Sequence, residues 1–162
     1  MHHIELNGWE SNVRFSASHF IPEHDKCARL HGHDYAVHFK AFGKLNDKGI
    51  LMDFTALKKT LRELVDHLDH RMVIPLKSAS IAVQTDDEKG QVSVWTKGGK
   101  TYSFPLEDVV LLDLGASSVE ELAGYFMQRL LASGAIPANV EEVEVGVDEG
   151  KGQGARLRRK LR

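Results

Sequence analysis

A chain of 162 residues, 42% apolar and 27% charged, has the size and composition of one soluble domain, residues 1–162, with a core of its own rather than a disordered polymer. Twenty-one Lys and Arg against 23 Asp and Glu leave a net charge of −2, which removes any global bias toward nucleic acid or anionic membrane. Cys27 is the single cysteine, so an intrachain disulfide is excluded and a reducing compartment suits the chain.

No apolar run approaches the ~20 residues that span a bilayer. Met1–Glu5 carries neither the basic nor the apolar stretch of a secretory signal, so the cytoplasm is the expected location. The unusual count is nine histidines.

In chain order, residues 12–20 alternate, with Val13, Phe15, Ala17 and His19 on one face and Arg14, Ser16 and Ser18 on the other, which predicts a strand. Residues 21–30 are polar and irregular and read as a loop. Alternation resumes over 31–43, where His31, His33, Tyr35, Val37, Phe39 and Ala41 share a face. Asn46–Gly49 is a turn, and Ile50–Met52 reads as the short return strand of a hairpin. Asp53 caps a helix whose apolar positions are Phe54, Leu57, Leu61, Leu64, Val65 and Leu68, ending near Leu68–Arg71.

Residues 79–113 hold three or four short strands, punctuated at Asp86–Gly90 and Lys97–Gly99. Ser118 and Glu121 have capping-box spacing, and the helix behind them turns Val119, Leu122, Ala123, Phe126 and Leu130 inward. Val143, Val145, Val147 and Glu149 alternate on a last strand. Five of the final seven residues, Arg156–Arg162, are basic; they read as a frayed solvated tail, or as an attractor for a polyphosphate or RNA. Strands flank both helices without regular βα alternation, so the fold class is antiparallel α+β.

His31-Gly32-His33 places two imidazoles on the same side of a strand, within reach of one ion. Nine histidines make about half a His-x-His match expected by chance, so two unrelated histidines remain an alternative. His19 strengthens the metal reading, because a hairpin brings it alongside. Three histidines without a nearby fourth protein ligand suit a zinc site that keeps an open position.

Cys27 lies between Lys26 and Arg29, cations that favour a thiolate; burial as a small hydrophobe and service as a fourth zinc ligand are the alternatives. Asp69-His70 and Asp66-His67 are equivalent in composition as carboxylate–imidazole pairs, and either also suits a solvated helix end. Glu149, in phase with three valines, either binds a ligand with paired N–H donors or marks the point where its strand reaches solvent.

Phe15-Ser-Ala-Ser-His19, Cys27-Ala-Arg-Leu-His31-Gly-His33, Met52-Asp-Phe54, Leu68-Asp-His70 and Ser118-Val-Glu120-Glu-Leu-Ala123 occur in an order that resembles the 6-pyruvoyltetrahydropterin synthase / 6-carboxytetrahydropterin synthase family. The resemblance covers most of residues 12–75 and 116–157. It implies that His19, His31 and His33 bind zinc and that Cys27 abstracts a proton. Asp69-His70 becomes the partner pair, in place of Asp66-His67, and Glu149 and Glu120 contact substrate. It also implies the T-fold, an antiparallel four-stranded sheet with two helices on one face, assembled as a hexamer of two trimers with sites between subunits. The expected substrate is 7,8-dihydroneopterin triphosphate, with a 6-carboxy or a 6-pyruvoyl product.

Three departures stand out. Ser117-Ser118 replaces the Pro-Thr often found before the second helix, residues 76–113 read as an inserted hairpin, and residues 150–155 are rich in glycine. A zinc-stabilised RNA-binding module is the alternative of another class.

Overall fold

The structure, a computed structural model, describes residues 1–162. Twelve elements follow one another: β1 (His2–Leu6), β2 (Arg14–His19), β3 (His31–Gly43), α1 (Phe54–Asp66), β4 (Arg71–Pro75), β5 (Ile81–Asp86), β6 (Gln91–Thr96), β7 (Thr101–Pro105), β8 (Val109–Leu112), α2 (Val119–Ala132), β9 (Val140–Glu149) and β10 (Gly154–Lys160). No helix is long and apolar enough to cross a membrane.

The main sheet runs β10-β9-β3-β2-β4-β8, with β1 also on β3. The alternation in β2 and β3 is the reason: Phe15, Ala17, Tyr35, Val37, Phe39 and Ala41 are all buried on one face of the hairpin. That face packs against both helices, α1 through Leu57, Leu61 and Val65, and α2 through Leu122, Ala123, Phe126, Met127 and Leu130. Asp53 caps α1 by accepting from the Thr55 N–H, and Ser118 caps α2 by accepting from the Glu121 N–H. Mixed α+β architecture with two helices on the sheet is therefore observed.

The four-stranded, wholly antiparallel sheet is corrected. The sheet has seven strands, and β2–β4 and β4–β8 pair parallel. The chain returns to the β2 edge through α1, and to the β4 edge through the inserted segment, so both edges are approached in the same direction as the strand already there.

The expected return strand at Ile50–Met52 is absent. By the time the chain reaches Gly43, β3 already pairs with β1 along one edge (His2 opposite Gly43) and with β9 along the other. No ladder position is left for it. Residues 44–51 instead fold as a loop, its carbonyls at Lys44 and Leu51 taken by the Asn139 side-chain amide at 2.6 and 2.9 Å. Between β1 and β2 the chain leaves the sheet at Asn7 and returns at Val13. Gly8 lies so close to β3 there that a Cβ would sit 2.2 Å from the Val37 carbonyl oxygen.

The inserted hairpin expected over 76–113 is an antiparallel sheet of three strands, β5-β6-β7, after which the chain rejoins the main sheet as β8. It carries a second apolar cluster, in which Val92 and Val94 meet Phe20, Met72, Ile74 and Val109.

The basic C-terminus is likewise not frayed. It forms β10, paired with β9 from Gly154 opposite Asp148 to Lys160 opposite Glu142, so β9 is not the last strand. Arg156 donates to Asp148 at 2.7 Å and Arg158 to Glu144 at 2.5 Å. The buried Asp148 carboxylate also accepts from Trp9 Nε1 at 2.9 Å and from His38 Nε2 at 2.8 Å. Arg156 and Arg158 thus pair within the chain, while Arg159, Lys160 and Arg162 stay exposed and unpaired.

Candidate metal centre and its surroundings

The β2–β3 register decides the site. His19 stands directly opposite His31, and His33 lies opposite Ala17, two residues along the same face. Ring centroids are 4.6 Å apart for His19–His31, 4.9 Å for His31–His33 and 5.2 Å for His19–His33. One ring nitrogen from each lies within 4.8 Å of the others.

Hydrogen bonds set the tautomers. His19 Nδ1–H donates to the Ser117 carbonyl at 2.8 Å and His31 Nδ1–H to the Arg29 carbonyl at 2.6 Å. A carbonyl can only accept, so in the neutral rings Nε2 is left as the lone-pair nitrogen. His33 Nε2 is buried without a hydrogen-bond partner, although Glu149 Oε1 lies 3.2 Å away, out of hydrogen-bonding geometry.

Electrostatics favour the same state. Burial pushes the His19 pKa down from 6.5 to about 4, reinforced by repulsion from His31 and His33 and opposed by the Ser117 carbonyl. His33 is also lowered, by burial first, with Glu149 opposing and His31 adding to the shift. The buried Tyr35 phenol lies 3.4 Å from both nitrogens of His19 and is held well above the usual tyrosine range by burial and by Glu149. Neutral imidazoles around an unpartnered nitrogen fit a divalent, borderline-soft cation, and a three-nitrogen donor set leaves an exchangeable position.

Glu149 ends β9, paired with Tyr35, and so reaches the imidazoles from the neighbouring strand; its Oε2 is 3.9 Å from His19 Nε2. The glycines that follow have a local purpose. Gly150 and Gly152 adopt φ of 74° and 98° in the turn to β10, a conformation that costs glycine little.

Cys27 is half-buried in the 3-10 turn Asp25–Ala28 and is not one of the converging donors, so it is not placed as a fourth ligand. Glu120 is exposed on the first turn of α2 and makes no hydrogen bond or ion pair to the other candidates.

Asp69 and His70 follow α1 and are clamped to β2. Asp69 Oδ1 accepts from the Ser16 N–H at 2.8 Å, its Oδ2 lies 2.8 Å from His70 Nδ1, and the His70 N–H donates to the Ser16 carbonyl at 2.7 Å. Burial raises the Asp69 pKa, but the Ser16 N–H and His70 outweigh it, and the carboxyl lies below its ordinary value. His70 has φ of 59°, left-handed for a residue with a side chain, and its ring is 83% exposed. Asp66-His67 has no such clamp.

His70 opens onto a cleft of 660 Å³ walled by the polar face of the hairpin, Ser16, Ser18, Gly32 and Asp34, and by Phe104 of the inserted sheet. Of the three imidazoles only His33 reaches its wall, and neither Cys27 nor Glu149 lines it. The Asp69–His70 pair therefore shares its cleft with His33 alone, while His19, His31, Cys27 and Glu149 lie off it.

Ser117 and Tyr35 are site residues that sequence reasoning missed. A backbone carbonyl leaves no mark in a sequence, and Tyr35 is in phase with the core.

A family model described as 6-pyruvoyl tetrahydropterin synthase matches residues 10–160. A protein of Methanocaldococcus jannaschii, provisionally named 6-carboxy-5,6,7,8-tetrahydropterin synthase, is 35% identical over 163 residues, which cover 98% of this chain and 97% of that protein. The 6-carboxy-5,6,7,8-tetrahydropterin synthase of Bacillus subtilis is 40% identical over 67 residues, 40% of this chain and 44% of the relative. Among solved structures, 6-pyruvoyl tetrahydropterin synthase from Plasmodium vivax superposes with a TM-score of 0.86 at 27% identity, over 99% of this chain and all of that one (100%).

Proposed function

Because the chain belongs to the 6-pyruvoyl tetrahydropterin synthase family, whose relatives here are pterin synthases of the lyase type, we propose that it converts 7,8-dihydroneopterin triphosphate and one water to 6-carboxy-5,6,7,8-tetrahydropterin, acetaldehyde and triphosphate. The observation that carries this reading is the convergence of His19, His31 and His33, with Glu149 on the adjacent strand.

His19, His31 and His33 would hold zinc. Bound there, the ion supplies Lewis-acid polarisation of neighbouring oxygens on the substrate side chain. Glu149 accepts paired N–H donors from the amino-pyrimidine edge of the pterin, a bidentate contact that fixes the ring. Glu120 sits nearby in sequence to Ser117, whose carbonyl orients His19, and is assigned a second substrate contact. Cys27, as thiolate, takes the C–H proton. His70, held by Asp69, returns a proton on the other side of the side chain.

The working unit is a homo-oligomer, a hexamer of two trimers, in which Asp69-His70 of one protomer completes the Cys27 half-site of its neighbour. That Cys27 does not line the cleft onto which His70 opens supports this assembly.

The likeness to the Plasmodium structure favours a second reading, the 6-pyruvoyl product, formed by elimination of triphosphate with the side-chain carbons retained. Incubating the zinc-loaded protein with 7,8-dihydroneopterin triphosphate and weighing the products decides. A 6-carboxy pterin with acetaldehyde supports the first reading, a 6-pyruvoyl pterin the second, and unchanged substrate refutes both.

A further inference from the structure

The loop that carries Cys27 leaves β2 at Phe20 and rejoins the sheet at His31. Its internal bonds close it on itself: the Ile21 N–H donates to the Cys27 carbonyl at 2.7 Å, His24 N–H to Ile21 at 3.0 Å, and Ala28 N–H to His24 at 3.2 Å. None of these ties it to the body of the protein.

The inserted sheet does. Phe20, at the start of the loop, is buried in the insert's own apolar cluster and stacks on Tyr102 with centroids 5.1 Å apart and planes at 19°. At the far end, Lys100 Nζ donates to the Ala28 carbonyl at 3.0 Å. Two further side chains reach the loop's outermost residues, Ser117 Oγ donating to the Phe20 carbonyl at 3.3 Å and His31 Nδ1 to the Arg29 carbonyl at 2.6 Å, but between them Lys100 is the one side chain from outside the loop that bonds to the backbone of residues 21–28.

Lys100 immediately precedes β7 and Tyr102 lies within it two residues on, so both contacts come from one short segment of the insert. That one segment thus grips the loop at its entry and at its exit. Lys100 is itself held: its N–H donates to Thr96 Oγ1 at 3.1 Å, and its carbonyl accepts from the Thr96 N–H at 2.9 Å, around a turn in which Gly99 has φ of 85°. Its ammonium forms no ion pair with a carboxylate, and its one protein acceptor is this carbonyl.

We infer that the inserted sheet is a positioning device for the Cys27 loop and that Lys100 is the positioning residue that fixes its exit. The inference rests on the role proposed for Cys27 and supplies a purpose for residues 76–113. A thiol on a self-closed loop samples many directions. Anchoring both ends restricts it to the one in which proton transfer occurs.

The test uses the full-length, zinc-loaded protein and compares Lys100→Met with Lys100→Arg, which keeps a charged donor of similar reach. Lys100 is exposed, so neither substitution enters the core. Cys27 is the only cysteine, so iodoacetamide alkylation reads this loop alone. The rate is taken on its high-pH plateau, where loss of a nearby charge no longer alters the ionised fraction.

In Lys100→Met the plateau rate and the amide exchange of residues 27–29 rise at least about threefold. With substrate, kcat falls about three- to tenfold while KM stays within about twofold, and zinc content is unchanged. Lys100→Arg restores both. Alkylation and exchange in Lys100→Met equal to those of the unsubstituted protein overturn the inference. Should the unsubstituted protein turn over no pterin, the proposed function fails, while the alkylation comparison still decides whether the insert holds the loop.

Discussion

Stripping zinc and then acidifying should destabilise the chain through histidines that the fold holds neutral, buried His19 foremost. His19 is 1% exposed, and burial lowers its pKa from 6.5 to about 4. The unfolded chain, with an ordinary histidine, binds a proton first as the pH falls below 6.5, while the folded chain resists until about 4. Stability is therefore complete above pH 6.5, declines between 6.5 and about 4, and levels once both states are protonated; the gap corresponds to about 3 kcal/mol.

His33, also lowered, adds to the loss in the same direction. His31, Glu149 and the Tyr35 hydroxyl are the other titratable groups facing His19, and Glu149 partly offsets the loss by favouring the charged ring of His33. Urea denaturation of the metal-free protein at intervals from pH 7.5 to 4 measures the effect. His19→Gln, whose amide can still donate to the Ser117 carbonyl, reduces the slope and leaves the part contributed by His33 and His38, whose pKa values burial also lowers. A metal-free chain whose stability is flat across that window, or a His19→Gln variant with an undiminished slope, refutes the argument that a neutral buried imidazole is built into the fold.

Cys27→Ala should fold, bind one zinc per chain by elemental analysis, and lose turnover by about 10²-fold or more, as expected for loss of a positioned base. Mixing inactive Cys27→Ala and His70→Ala proteins under conditions that exchange subunits should restore part of the activity, because some sites then draw each half from an unsubstituted protomer. A mixture that stays inactive although mixed oligomers have formed places both residues in one chain's site. His70→Gly relieves the left-handed backbone at φ 59° and offsets the lost contact with Asp69. Its unfolding free energy should stay within about 1 kcal/mol of the parent, while kcat falls.

Much of the site was legible because strand periodicity is local. His19, His31 and His33 share a face with Phe15, Ala17 and Tyr35 by counting in twos, and any antiparallel hairpin with that face buried brings them near one another. Helices α1 and α2 were equally legible from their apolar spacing and from the Asp53 and Ser118 caps. Phe54 departs from the expected inward stripe: it is the first residue of α1 and 42% exposed.

What stayed hidden depends on partners distant in the chain. Residues 50–52 have the local pattern of a return strand, and local pattern cannot show that both edges of β3 are taken. The basic terminus was read as a tail because the acceptors that stabilise it as β10, Asp148 and Glu144, lie on a strand whose inward and outward faces are both buried. Composition does not separate Asp66-His67 from Asp69-His70, and the place of the second pair past the last core leucine favours it only slightly. In the fold, the Ser16 backbone clamps only the second pair.

Residue types and their local spacing thus determined the α+β class, the helix faces and the three-imidazole donor set. Tertiary structure alone decided strand order, the parallel pairings, the tautomers set by Ser117 and Arg29, and the placing of Asp69-His70 on a cleft that only His33 of the three imidazoles reaches. The division has a physical cause. Side-chain alternation and helix spacing follow from backbone geometry within a few residues, whereas an edge, a carbonyl acceptor or a neighbouring strand exists only once segments far apart in the chain have packed.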